Sequence, residues 1–195
     1  MIISIGGYMG SGKSTIAKML AAKLGWPRYY IGDIRRQKAR QRGLTLAEYN
    51  RLGETDPATD FEVDEYQKQL GEKENNFVIE GRTSWYFIPH SLKIYLDVDK
   101  RTGAQRIYND LLQSKERNEA LKLDTLEEVM ESISQREASD RLRYKKYYDF
   151  EVYNPSHYDF VLDTTNLTIE ETFKQIWEFI KIKLTMVDPV RQNHD

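Results

Sequence analysis

GGYMGSGKST, Gly6 to Thr15, sits between the β-branched run Ile2 to Ile5 and a helical pattern, Lys13 to Leu24, that repeats apolar residues at Ile16, Ala17, Leu20 and Leu24. Gly7, Gly12, Lys13 and Ser14 satisfy the spacing G-x-x-x-x-G-K-[ST], and the flanking strand and helix supply the context that a phosphate-binding loop requires. Glycines let backbone N–H groups converge on phosphate oxygens, while the following helix points its positive end at the same anion. Gly7, Gly10, Ser11, Gly12, Lys13, Ser14 and Thr15 are therefore the candidate ATP-binding residues. In this pattern Lys13 bridges the transferred and adjacent phosphoryl groups and Ser14 holds Mg²⁺.

Outward from this turn, short apolar runs alternate with helical patterns. Tyr29 to Ile31 predicts a second strand and Ile34 to Arg42 a helix capped by Asp33; Leu44 to Leu70 reads as mainly helical with a break at Gly53 to Pro57. Phe77 to Ile79, Leu92 to Leu96 and Phe160 to Leu162 predict three more strands, with helices over Lys100 to Leu112, Leu126 to Phe150 and Ile169 to Ile182. The alternation predicts an α/β chain: a three-layer P-loop fold with a five-stranded parallel sheet, helices on both faces and a small helical lid. We expect one kinase domain over 1–185, a lid at 112–137 around the polar stretch Ser114 to Lys122, and a C-terminal tail at 186–195.

Composition narrows the chemistry. The chain has 195 residues, enough for one well-filled core, and no cysteine, which removes disulfides, thiolate catalysis and cysteine-ligated metals. Three histidines argue against a multi-histidine metal site, and 29 basic against 31 acidic residues argue against a nucleic-acid polymer as partner. Neither a signal-peptide pattern nor an apolar run near 18 residues is present, so the expected setting is cytoplasmic, with no membrane partner.

The acceptor must be read from the remaining charges. No base-reading N/TKxD segment of the switch GTPases occurs. A phosphorylated acceptor calls for arginines aimed at a second anion, because the guanidinium fork binds phosphate in a bidentate way. Arg35 follows strand two, Arg82 follows strand three in Glu80-Gly81-Arg82, and Arg143 lies on the long helix; each is otherwise an ordinary surface arginine. Arg82 has the best position, at the carboxyl edge of a central strand. In SQREASDRLRY, Ser134 to Tyr144, residues Arg136, Asp140 and Arg143 share one helix face. They form either a grip on ribose and phosphate or an intrahelical salt-bridge ladder. Arg101 and Arg106 are similarly open between a reach toward the phosphates and solvation. Glu80 is either a carboxylate that orients Mg²⁺-bound water or a structural strand-end acid.

Together these pieces resemble the nucleoside-monophosphate kinase group of P-loop proteins, and within it the cytidylate kinases of the short, archaeal-like type. The resemblance runs from Met1 to about Ile180 through the glycine loop, YIGDIRR at Tyr30 to Arg36, IEGR at Ile79 to Arg82, KIYLDVDKRTGAQRI at Lys93 to Ile107, SQREASDRLRYKKYY at Ser134 to Tyr148 and YDFVLDTT at Tyr158 to Thr165. It implies ATP as donor with Mg²⁺, CMP or dCMP as acceptor, and a monomer. By the same resemblance Asp33, Arg35, Gly81 and Arg82 belong to the acceptor side, and Asp140 and Arg143 contact acceptor ribose and phosphate. Arg136 then reaches the transferring phosphates from the lid, with Lys13 and Arg106 as the other catalytic residues. The chain departs from the family's pattern at Ile31 and at Thr83 to Phe87, where a small, glycine-containing segment is usual.

Two other readings stay in view: a P-loop kinase for another nucleotide, a nucleoside or a small sugar acid, and a nucleotide-responsive regulatory protein without turnover. Only the last predicts ATP binding with no acceptor-dependent ADP formation.

Overall fold

β1 (Ile2–Gly7) is the middle strand of a five-stranded, all-parallel sheet ordered β2-β3-β1-β4-β5. Its neighbours are β3 (Phe77–Glu80) and β4 (Leu92–Asp97), and β2 (Arg28–Tyr30) and β5 (Phe160–Asp163) form the edges. The computed structural model describes residues 1–113 and 123–187. Chain order reverses at β1, so the crevice at the carboxyl ends of β3, β1 and β4 is where an open sheet of this kind receives ligands.

Strand burial explains the layers. Ile3 and Ile5 of β1, Val78 of β3, and Ile94 and Leu96 of β4 pack against α1 (Lys13–Leu24) and α8 (Ile169–Val187), through Ile16, Leu20, Ile176 and Ile180. On the other face Ile2, Phe77 and Ile79 meet Val63 and Leu70 of α4 (Ala58–Lys73). A third cluster joins Ala104 and Ile107 of α6 (Lys100–Gln113) to Val129, Ile133 and Tyr144 of α7 (Leu126–Tyr148). Alternation of period two along the strands thus feeds both faces. α2 (Ile31–Gln41), α3 (Leu46–Gly53) and the single-turn α5 (Ser84–Phe87) complete the set.

The three-layer parallel architecture is as expected, with local differences. Ile31 begins α2 rather than ending β2, and the N-cap is Tyr30, which makes no side-chain cap bond. Asp33 therefore lies in the first turn of the helix, where its charge faces the positive end of the dipole and its carboxylate accepts from Gln37 at 3.1 Å. Within Thr83 to Phe87, Thr83 is the N-cap and Ser84–Phe87 forms α5, in which Trp85 is stacked on His157 at 4.1 Å between ring centroids. α7 starts at Leu126 behind a capping box in which Thr125 and Glu128 satisfy each other's backbone N–H groups. The centre of the expected lid, Ser114 to Lys122, lies outside the described residues, as do residues 188–195 of the expected tail, whereas α8 runs on to Val187.

Ile94 is fully buried between the sheet and α1/α8. Ile94→Ala should cost about 2–5 kcal/mol in equilibrium urea unfolding, the usual range for a large-to-small change at a closed site. A loss below about 1 kcal/mol would mean that this layer is loosely packed.

Candidate active site

The glycine loop is held by shape. Gly10 and Gly12 have φ of 78° and 87°, in the left-handed region. A Cβ on Gly10 would lie 2.2 Å from the Gly103 carbonyl oxygen, and one on Gly103 would lie 2.5 Å from the Met9 oxygen. The loop and the first turn of α6 thus touch backbone to backbone. The Lys13 ammonium donates to the Tyr8 carbonyl and, at 3.3 Å, to the Ser11 hydroxyl, which keeps it folded over the loop.

Glu80, 2% exposed, ends β3 beside this loop and pairs with Arg28 at 3.0 Å. Burial raises its pKa, against the lowering effects of a hydrogen bond with Ser14 and the charges of Arg28 and Lys13. Ser14 and Glu80 together are hard oxygen donors that fit Mg²⁺, an ion that keeps several waters and needs few protein ligands.

A cavity of about 430 Å³ opens from the loop along the carboxyl edge of the sheet. Gly10, Gly12, Lys13, Ser14, Thr15, Glu80 and Gly81 line it, together with four arginines, Arg36, Arg82, Arg106 and Arg136. With Lys13 these make five cationic side chains in the lining against two carboxylates, Glu80 and Asp110. Arg82 is aimed by two partners: its Nε donates to the Tyr153 hydroxyl at 3.0 Å and lies 2.8 Å from Asp140, while Tyr153 donates to Asp140 at 2.8 Å. Burial alone would raise the Asp140 pKa, but Arg82, Arg143 and Arg136 hold it down at about 2.

Arg35 and Arg143 do not line this cavity. Arg35, 7% exposed, donates through Nε to Asn50 at 2.8 Å and through Nη1 to Asp60 at 2.7 Å. Arg143 is fully buried and bridges Asp60 and Asp140. Both guanidiniums are bound to carboxylates inside the protein, and Asp140 pairs with Arg143 and Arg82, so the structure shows Arg35, Arg143 and Asp140 joined in internal ion pairs. The helix explains the direction of Arg35: successive residues point about 100° apart, and it is Arg36 that faces the cavity. Asp33 is likewise absent from the lining. Arg106 lines the cavity, but both its terminal nitrogens are engaged by the loop after β5, at Thr164 Oγ1 (3.1 Å) and the Thr164 carbonyl (2.7 Å). It thus holds that loop while lining the cavity. Gly7 and Ser11 support the loop from beneath: Ser11 is buried, and a Cβ on Gly7 would strike the Leu96 backbone.

Sequence reading missed three residues of this arrangement. Arg36 was adjacent to the chosen arginine, and only the phase of α2 separates them. Asp60 had no visible partner, because Arg35 and Arg143 lie 25 and 83 positions away. Tyr153 carried no motif at all.

The geometry can be set beside known proteins. The model of the cytidylate kinase-like family matches residues 2–166. The chain belongs to this family. Cytidylate kinase-like relatives include the cytidylate kinase of Pyrococcus furiosus, 34% identical over 97% of this chain and 91% of the relative, and that of Archaeoglobus fulgidus, 32% identical over 96% and 99%. Among solved structures, an uncharacterized protein from Eubacterium ventriosum has a TM-score of 0.67 at 17% identity, covering 93% of this chain and 98% of the other. A shikimate kinase from Bacteroides thetaiotaomicron has a TM-score of 0.62 at 18% identity, covering 93% and 98%. At such identity these two share the fold. This cytidylate kinase-like chain is thus a P-loop protein of the nucleoside-monophosphate kinase superfamily, and no helix among its described residues is long and apolar enough to cross a membrane.

Behind the arginines, Asp64 accepts from Tyr148 at 2.6 Å, Gln67 at 2.9 Å and Thr83 at 3.0 Å. Burial raises its pKa to about 7, with Asp60 adding to the rise and Tyr148 and Thr83 opposing it. A raised carboxyl pKa stabilises the fold while the group is protonated, and that contribution fades as pH climbs through about 7. The urea midpoint should therefore fall between pH 5 and pH 8, and Asp64→Asn should flatten the fall. An unchanged pH slope in the variant would place the titration elsewhere.

Proposed function

We propose that this chain is an ATP-dependent kinase that transfers the γ-phosphoryl group to CMP or dCMP. The observation that carries the reading is the common cavity in which the glycine loop and Lys13 meet Arg36, Arg82 and Arg136. The loop provides for one set of phosphates, and the arginines beyond it provide for a second anion that an unphosphorylated acceptor would not possess. The cytidylate kinase names of its relatives support the choice of base.

In this reading the acceptor phosphate lies against Arg36 and Arg82, and Arg136 sits between it and the donor. An acceptor phosphate oxygen forms the new P–O bond in line with the β,γ-bridging oxygen, which leaves with ADP. No protein base is required, since the attacking oxygen is already anionic. Lys13 stabilises charge developing on the transferred group, and Arg136 does so from the α7 side. Mg²⁺ held at Ser14 and Glu80 neutralises phosphate charge when bound. The arginines also explain why transfer would be selective over hydrolysis, because the full positive set is occupied only when both anions are present.

Coupled ADP release with ATP and Mg²⁺ against CMP, dCMP, UMP, AMP, GMP, dTMP, nucleosides and simple sugar acids, with a no-acceptor control, tests the function. Selective stimulation by CMP or dCMP is expected; ATP binding without stimulation by any acceptor would overturn it. Lys13→Ala should reduce kcat about 10²- to 10³-fold, the size of loss seen when a group stabilising transition-state charge is removed. Arg36→Met should lower acceptor kcat/KM about 10- to 100-fold while the KM for ATP stays within about twofold, as befits one charge-assisted contact confined to the acceptor. Normal acceptor kinetics in Arg36→Met would take α2 out of the phosphate site.

A further inference from the structure

A second, larger cavity of about 870 Å³ lies between α3 and α7, and Arg136 lines both cavities, so the two meet at that side chain. Their linings differ in kind. The smaller one is ringed by arginines, whereas the larger one presents Leu46, Ala47 and Leu142 with four carboxylates, Glu54, Glu127, Glu128 and Glu131, against two arginines, Arg51 and Arg136. A chamber in which carboxylates outnumber arginines two to one is the poorer seat for a phosphate. It does suit a flat heterocycle that carries an N–H group.

Asn50 and Ser139, both more than nine-tenths buried, line this chamber. Ser139 is turned inward, holding the Asn50 carbonyl at 3.4 Å and accepting from Arg143 Nε. Asn50 is held in one orientation: its Oδ1 accepts from Arg35 Nε at 2.8 Å, and Arg35 is itself clamped by Asp60 at 2.7 Å. With Oδ1 turned to Arg35 in this way, Nδ2–H is the end of the amide left unengaged, with no hydrogen-bond partner among the described residues. A buried arginine that touches neither cavity thus acquires a purpose, which is to decide which end of a neighbouring amide faces outward.

We infer that the α3–α7 cavity receives the base of the acceptor nucleotide, and that Asn50, positioned by Arg35, reads it by donating to an unprotonated ring nitrogen. This deepens the kinase reading above and rests on the acceptor being a nucleoside monophosphate. An amino-pyrimidine offers that pattern: its N3 is an acceptor for Asn50, and its exocyclic amine is a donor for the carboxylates. A 4-keto pyrimidine carries a hydrogen on N3 and an oxygen where the amine would be, so it sets donor against donor and oxygen against carboxylate. Discrimination arises from the mispaired polar groups and not from size, since cytosine and uracil are nearly the same shape.

Asn50→Asp tests this, because it keeps the shape and the Arg35 contact while replacing the outward donor by an acceptor. The ratio of kcat/KM for CMP to that for UMP should drop about 10- to 100-fold, with the KM for ATP within about twofold of the parent. A purely structural Asn50 would change both acceptors alike and leave the ratio in place, which would overturn the inference. Ala47→Trp, at an exposed position on the cavity wall, is the second variant and needs no repacking of the core. It should raise the KM for CMP about tenfold or more with ATP unaffected; a KM for CMP within about twofold of the parent would remove the base from this cavity. Absence of stimulation by every nucleoside monophosphate in the unsubstituted protein would overturn the kinase reading and this inference with it. Stimulation of the parent by CMP together with unaltered ratios in the variants would overturn this inference alone.

Discussion

Arg82, Asp140, Arg143, Asp60 and Arg35 form one line of alternating charge that runs from the end of β3 through α7 and α4 to α2. Four of the five are at most 7% exposed. Each would cost several kcal/mol as a lone buried ion, and each is tolerated because its neighbours in the line carry the opposite sign. The line therefore behaves as a unit, and elements from distant parts of the chain are brought into register by it. Arg36 is one residue from Arg35, and Arg136 is one turn from Asp140. The arginines that face the cavity are aimed by those that do not.

The same arrangement settles a difficulty of electrostatics. Four arginines and a lysine around a cavity of about 430 Å³ outnumber the two carboxylates of its lining, Glu80 and Asp110, and repel one another while no anion is bound. Asp140 is held ionised at the rear of the site by three arginines, and Asp60 is shared by two more. These carboxylates offset the repulsion without entering the cavity, so the positive field at its mouth is kept. Tyr153 adds a neutral hydroxyl that fixes the Arg82 fork without consuming its charge.

Much of the fold was legible because it depends on local pattern. The strand, glycine loop and first helix follow from spacing within the single stretch Ile2 to Leu24, and the remaining strands are short apolar runs between polar breaks. Glu80, Gly81, Arg82 and Arg136, which share the lining of one cavity, could be singled out because a strand end and a helix face are themselves local features. Arg35 and Arg36 could not be separated, since α2 starts without a side-chain cap and its phase is set by packing. The spacing in SQREASDRLRY left a ladder and a ligand grip as alternatives. The structure contains the ladder pair, Asp140 with Arg143, but joined to Arg82 and Asp60, partners that no window of sequence contains. Thr83 to Phe87 was visible as a departure, yet its role as a small helix stacked on His157 depends on a residue 72 positions from Trp85.

Gly10 and Gly103 show that the two halves of the site are built on different principles. The glycine loop owes its position to atoms that are missing, since backbone meets backbone where neither residue has a side chain. The arginine half owes its position to ion pairs. Dissolved salt has no purchase on an excluded volume and screens a buried ion pair far less than an exposed one. Rising ionic strength thus leaves both halves of the framework standing, and what it weakens is the pull of the open, arginine-lined cavity on any anion that approaches it.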